Sequence, residues 1–362
     1  MKKTISIILS IVLCVVLLSS CNSGTTSAPE TSTAPQNSSA APAQSTTSAS
    51  SAPSDAPAAP ASSAPSGQTQ GAADPLEGKK VAIILKGLAN YYWQTAEKGA
   101  IQAEIDLNVE VDIFAPVEFN NNEQQIRLVQ EAIAKKYDVI CISPCDSNGI
   151  IPAIEEANRA GIPIVNFATI INGGDRVTYM AIENYDAQYR VTKATCELIQ
   201  YGEVVILEGP AGQQNALDKV NGAVDAISEF PDITIVASQV ANWSRTEGFT
   251  VMQNLLQRNP DIRGVISCND DMALGALEAL DEAGRAGEVF VCGTDCTPEA
   301  LDAIKIGRMH VDVDSMSYEL AYDAIAAAVD ILNGKSMDEE IILDALVVTI
   351  DNVDEVIQKK LG

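Results

Sequence analysis

The side chains able to do chemistry in this 362-residue chain gather in short polar loops, each following an apolar run. In "IILKGLANYYW" (Ile83 to Trp93) the apolar run ends in Lys86, and Asn90, Tyr91, Tyr92 and Trp93 follow. The chain holds only 2 Trp, 9 Tyr and 6 Phe, so three consecutive aromatics in a polar loop need a reason. The corresponding place after later runs holds Ser143 in "SPCDS", the segment "EGPAGQQN", Trp243 in "ANWSR", Asn269 in "NDDMALGA" and Asp295 in "TDCTPEA". Asp314 and Ser315 end another run. These loops offer amides, a lysine and carboxylates for hydrogen bonding, and tryptophans for flat apolar contact. That is the chemistry of recognition rather than of bond making.

Enzyme signatures are missing. There is no Walker loop and no G-x-S-x-G, and the single histidine, His310, has no ligand cluster near it. "CISPC" and "CGTDC" are not zinc-ribbon spacings, so no metal and no cofactor are expected. Cys141, Cys268 and Cys292 sit in apolar runs, where cysteine is a small buried hydrophobe. Cys145 and Cys296 are the more loop-like members, and pairing among the six globular cysteines stays open.

The elements that position these loops follow from periodicity. Short β-rich runs ("VAIIL", "VEVDIF", "DVICIS", "IPIVNF", "EVVILEG", "ITIVASQ", "GVISC", "VFVCG") alternate with helical periods. Ile126, Val129 and Ile133 recur at i, i+3 and i+7 in one, and "DDMALGALEALDEAG" has acids in its first turn and Gly284 at its end. Near-continuous apolar strands alternating with helices predict parallel sheets covered on both faces. Two such units joined near "YMAIEN" predict an α/β protein of two doubly wound lobes. Ligands of open α/β sheets bind beyond the carboxyl ends of the strands, where the polar loops lie.

The N-terminus is of another kind. "MKK", an apolar core and small residues ending in "LSSC" read as an export signal over residues 1–20. Residues 22–74 are almost entirely Ser, Thr, Ala, Pro, Gln and Gly, with Glu30, Asp55 and Asp74 the only charges. They lack the apolar surface needed to offset ordering entropy, so residues 21–77 are expected to form a tether. It would span roughly 40 Å as a coil and roughly 160 Å fully extended. The formal charge of −26 excludes nucleic-acid binding by phosphate neutralisation.

"LSSC" resembles the bacterial lipoprotein signal, in which the cysteine is acylated after cleavage, so Cys21 is the expected lipid anchor at the extracytoplasmic face of the cell membrane. The globular region resembles the type I periplasmic sugar-binding proteins of ABC transporters, the ribose- and allose-binding branch. "LKGLANYYWQTAEKGA", "ISPCDSNGIIPAIEEANRAGIPIV", "ILEGPAG", "SQVANWSRTEGFTVMQNLLQRNPDIRGVISCNDDMALGALEAL" and "VCGTDCTPEAL" carry the likeness in family order.

The resemblance implies two Rossmann-like lobes joined by a three-segment hinge. The N-terminal lobe would span residues 78–182, completed by 316–343. The C-terminal lobe would span 183–315, completed by 344–362. It implies a monomer that takes a sugar or polyol into the cleft and hands it to a permease. The alternative is a receptor domain reporting to a membrane sensor. By the match, Tyr92, Trp93 and Trp243 would cover the ligand's faces, while Lys86, Asn90, Asn269 and Asp295 would bind its hydroxyls, with Ser143 and Ser315 also facing it. A DNA-binding repressor shares this core but is excluded by the export signal, the acidity and the missing helix-turn-helix. The sequence departs from the branch at three places. Ala168 and Thr169 stand where an acid and its neighbour are usual, Leu217 stands for an arginine, and Ser315 for a glutamine.

Overall fold

The computed structural model describes residues 76–361; the signal, Cys21 and nearly all of the expected tether lie outside the described residues. Strands form where apolar residues run almost unbroken. In chain order come β1 (Lys80–Ile84), α1 (Tyr91–Leu107), β2 (Glu110–Phe114), α2 (Asn122–Lys135), β3 (Val139–Ile142), α3 (Ile151–Arg159), β4 (Ile164–Phe167) and β5 (Thr178–Ile182). Next are α4 (Asn184–Ile199), β6 (Gly202–Glu208), α5 (Gln214–Ser228), β7 (Ile233–Val240), α6 (Arg245–Arg258), β8 (Ile262–Ser267), α7 (Asp270–Glu282), β9 (Phe290–Cys292), α8 (Pro298–Lys305) and β10 (Val311–Val313). The chain closes with α9 (Ser317–Leu332), β11 (Glu340–Leu343), β12 (Val347–Thr349) and α10 (Val353–Leu361).

Two six-stranded sheets result, in the orders β11-β5-β4-β3-β1-β2 and β12-β10-β9-β8-β6-β7. Every pairing in the first is parallel. The second is parallel except for β12, which runs antiparallel to β10. The chain passes between the sheets three times, after β5, β10 and β11. This is the doubly wound two-lobe architecture expected from the alternating pattern.

In the first sheet the period of two sorts side chains to opposite faces. Val81, Ile83 and Leu85 pack with α1 and α9, while Ala82 and Ile84 pack with α2 and α3. In the second, a single core gathers both faces around Val205, Ile206, Val265 and Ile266. The six globular cysteines are free and buried, including loop-borne Cys145 and Cys296.

The polar loops end in helix caps. Asn90 Oδ1 accepts from the Trp93 amide at 3.3 Å, and Asn269 Oδ1 accepts from the Met272 amide at 3.0 Å. Both asparagines therefore start a helix and leave an amide N–H₂ group for other partners.

Candidate functional site

A cavity with an empty volume of about 520 Å³ lies between the carboxyl ends of the two sheets. From the first sheet's loops it is lined by Lys86, Asn90, Tyr92, Trp93, Ala168 and Thr169. From the second it is lined by Asn215, Lys219, Trp243, Asn269 and Asp295, with Ser315 on the passage back.

The residues singled out in the loops meet here, except Tyr91, Ser143 and Asp314. Ser143 is fully buried behind the cavity; its amide donates to the Ile84 carbonyl and its own carbonyl accepts from Gln125 Nε2. Asp314 does not line the cavity either: it holds Lys360 at 2.6 Å.

Each wall pairs a lysine with a tryptophan. Lys86 Nζ lies 5.7 Å from the Trp93 ring centroid and Lys219 Nζ lies 5.5 Å from that of Trp243. Both lysines are buried, 2% and 5% exposed. Burial pushes the Lys86 ammonium down to about 7, and the like charge of Lys219 acts in the same direction. Burial likewise pushes the Asp295 carboxyl up to about 6, opposed by Lys219 and by the Ser315 hydroxyl, which donates to Asp295 Oδ1 at 2.6 Å.

The backbone is unusual at this place. Trp243 (φ 59°), Ala168 (φ 58°) and Asp295 (φ 141°) all line the cavity with positive φ, which costs a bulky residue of order 1–3 kcal/mol. Gly209 lets the indole sit against the end of β6, since a Cβ there would lie 2.0 Å from a Trp243 ring carbon.

Gln213 ties the walls together. Its Oε1 accepts from Lys86 Nζ at 2.6 Å and from Trp243 Nε1 at 2.9 Å. Its Nε2 donates to Asn120 Oδ1 at 3.1 Å and to the Cys145 carbonyl at 3.0 Å. Lys86, Asn120 and Cys145 belong to loops of the first sheet and Gln213 to a loop of the second, so three of these four bonds cross the cleft. At the rim, the Ser147 amide donates to the Gly212 carbonyl at 2.9 Å, and the Gln214 amide donates to Ser147 Oγ at 3.1 Å.

The expectation of a lost cation at Leu217 is corrected. Leu217 is 43% exposed on the outside of α5, whereas Lys219, two residues on, turns into the cavity. Thr169, standing where a polar neighbour of the missing acid was expected, accepts from Lys86 Nζ at 2.6 Å. Asn184 also lines the cavity and was not singled out, and so does Asn215 of the segment "EGPAGQQN". Lys219 lies in the stripe Ala216, Lys219, Gly222, Ala223, Ala226 buried along α5; that helical spacing was the available signal.

Behind the floor, Asp270 and Asp312 are fully buried and interact, and Asp270 Oδ1 and Asp312 Oδ2 have no hydrogen-bond partner, so a proton shared between them would satisfy both. Asp270 Oδ2 also accepts from the Thr297 amide at 2.8 Å. Burial raises both carboxyls above the ordinary range, reinforced at Asp270 by the charge of Asp295 and at Asp312 by the charge of Asp270. Among the described residues no group of three or more His, Cys, Asp or Glu could hold a metal ion.

Comparison with known proteins agrees with the geometry. The family described as "Periplasmic binding protein domain" matches residues 81–336. The D-allose-binding periplasmic protein of Escherichia coli K12 is 32% identical over 261 residues, 69% of this chain and 83% of the relative. A periplasmic solute-binding protein of Actinobacillus succinogenes 130z, solved with bound D-allose, superposes with a TM-score of 0.73 at 33% identity, covering 76% of this chain and 99% of that one. A solute-binding protein of Bacillus halodurans C-125 with bound myo-inositol gives a TM-score of 0.73 at 26% identity, covering 78% and 98%. With its two wound sheets and the cavity between their carboxyl ends, the chain belongs to the type I periplasmic binding proteins, on the ribose- and allose-binding branch.

Proposed function

We propose that this chain is the substrate-binding lipoprotein of an ABC importer. It is anchored through Cys21 at the extracytoplasmic face of the membrane, takes a sugar or sugar-like polyol into the cleft, and presents it to the permease when the lobes close. The lobes are taken as residues 78–182 with 316–343, and 183–315 with 344–362. The protein acts as a monomer, since both walls of the cleft come from one chain. Lys86, Asn90, Tyr92, Trp93, Trp243, Asn269, Asp295 and Ser315 contact the ligand in this reading. Ser143 is left out because it is walled off from the cavity.

The observation that carries the proposal is the shared cavity, with an aromatic–lysine pair from each sheet and amides at the helix starts. A ring polyol has C–H faces that suit indoles and hydroxyl edges that suit amides. The relatives named with D-allose and myo-inositol support the ligand class. The lobes close because the ligand's contacts are shared between them, so it favours the state in which both walls reach it.

A melting screen of the full-length chain against pentoses, hexoses, polyols and their acids tests this. A ligand at 100 times its Kd stabilises by about 2.7 kcal/mol. Asn215→Ala is the informative variant, because Asn215 Oδ1 is buried without a protein partner. It should weaken the hit about tenfold at an unchanged melting temperature of the free protein. If nothing in the panel shifts the melting temperature, or if Asn215→Ala and Trp243→Phe both leave affinity unchanged, the cleft is not the site.

A further inference from the structure

The lysines of the cavity are poorly matched by the rest of its lining. Lys86 Nζ donates only to neutral oxygens, Thr169 Oγ1 and Gln213 Oε1. Lys219 Nζ donates only to the Cys268 carbonyl, at 2.9 Å. Neither lysine has an ion pair among the described residues, although each is at least nine-tenths buried. An ammonium carries three N–H groups, so one remains on Lys86 and two on Lys219. Among the described residues Asp295 is the only carboxylate lining the cavity, and Ala168 and Thr169 add no negative charge.

Two buried ammonium groups facing one carboxylate leave an excess positive charge in a medium that solvates it poorly. An uncompensated buried charge is costly, and a fixed pair of cations can be kept only if something answers them. Four helix starts border the same space, those of α1, α4, α5 and α7, and their free amides add to the positive potential. Asn215 Oδ1 has the opposite need: it is a buried acceptor without a donor.

We propose that the ligand of this cleft is a polyhydroxylated acid, with its anionic group on Lys86 and Lys219 and its hydroxyls on Asn215 and Asp295. This rests on the reading of the cleft as the ligand site and narrows it from polyols in general to sugar acids or sugar phosphates. The anion supplies the missing counter-charge to both lysines at once. It also restores the charged form of Lys86, which burial and Lys219 push down to about 7.

Calorimetric titration of the full-length chain in detergent, with matched probes, decides it. D-Gluconate, D-glucuronate, D-ribonate and D-ribose 5-phosphate are set against D-glucose, D-ribose and D-allose. At least one acidic probe should bind about tenfold or more tighter than its neutral counterpart, the scale of a charge-assisted hydrogen bond. The carboxylates and the phosphate separate the two anion types. Lys86→Met and Lys219→Met should each reduce binding of an acid probe about tenfold more than they reduce binding of its neutral counterpart. Both variants should melt at or above the parent temperature, because each removes an unpaired buried charge. At pH 8 acid binding should take up a proton, read from the dependence of the heat on buffer ionisation. Besides Lys86, the charged and titratable groups facing this point are Lys219, Cys145, Tyr92 and Asp295. Cys145, its thiol pushed up to about 12 by burial, stays protonated throughout.

If neutral sugars bind as well as or better than acids, the inference fails and the sugar-binding function stands. Acid binding that survives both lysine variants places the anion elsewhere and also refutes it. Silence from every probe, acidic and neutral, overturns this inference together with the proposed function.

Discussion

Replacing Gln213 by alanine tests whether the bonds across the cleft control closure. The substitution removes three contacts between the walls: one with the Lys86 ammonium at 2.6 Å, and two neutral ones with Asn120 and Cys145 at 3.1 and 3.0 Å. A bond to a charged group contributes about 1.5–3 kcal/mol net and a neutral one about 0.5–1.5, so the three together favour the closed arrangement by about 2.5–6 kcal/mol. Even the lower figure lowers the closing equilibrium roughly 70-fold. The bond from Trp243 Nε1 stays within one wall and does not enter the difference. Ligand affinity should fall by up to the same factor if ligand is held by the closed form. The assay is built in, because the chain has 2 Trp and both Trp93 and Trp243 line the cleft. Their emission should shift to the red in the variant and move back toward the parent's on saturation with ligand. A variant that keeps affinity within about twofold and shows parent-like emission would refute the argument.

Three further outcomes are expected. Gly212→Ala should weaken closure without destabilising either lobe, because its Cβ would lie 2.3 Å from Asp146 Oδ2 across the rim; scattering and calorimetry of the variant check this. Global stability should fall as pH rises from 5 to 8, since Asp270 and Asp312 hold protons in the fold at pH values where the unfolded chain has lost them. That contribution is complete below the ordinary aspartate range and is lost as pH climbs through the raised values; Asp312→Asn should flatten the profile in denaturant titrations, and an unchanged slope would exclude the pair as its source. Cys21→Ala should leave the protein unprocessed or unanchored, and recovery of processed protein in detergent-extracted membranes would contradict the lipid anchor.

Much of the site was legible because strand-end loops in a parallel α/β sheet have only one place to go. Lys86, Trp93, Trp243, Asn269 and Asp295 each follow a strand, and the topology carries all of them to the same edge. Where the reading slipped, rotation about an element was at stake. Leu217 and Lys219 differ by about 200° around α5, and which one faces inward depends on the helix starting at Gln214. Ser143 slipped for a related reason. It directly follows β3, whose residues are all buried, and its backbone continues the ladder beside Ile84 instead of turning into the loop. Gln213 could be read as a loop residue but not as a bridge, since its partners at Lys86, Asn120 and Cys145 come from three separate loops of the other sheet. The charge imbalance was hidden until Lys219 was seen to enter.

The closing strands β11 and β12 bear on how the protein is made. Residues 340–349 supply an edge strand to each sheet, and α9, which covers one face of the first, precedes them directly. The first sheet's other strands end at Ile182, yet their cover arrives only at Ser317. At about 5–20 residues per second the ribosome needs roughly 7–27 s for the intervening stretch, during which Val81, Ile83 and Leu85 have no α9 to bury them. The second sheet also waits for its last strand. Neither half can finish before residues 340–349 emerge, so folding waits for them. Such a delay would suit the export proposed above, which requires a chain that stays threadable until it has crossed the membrane.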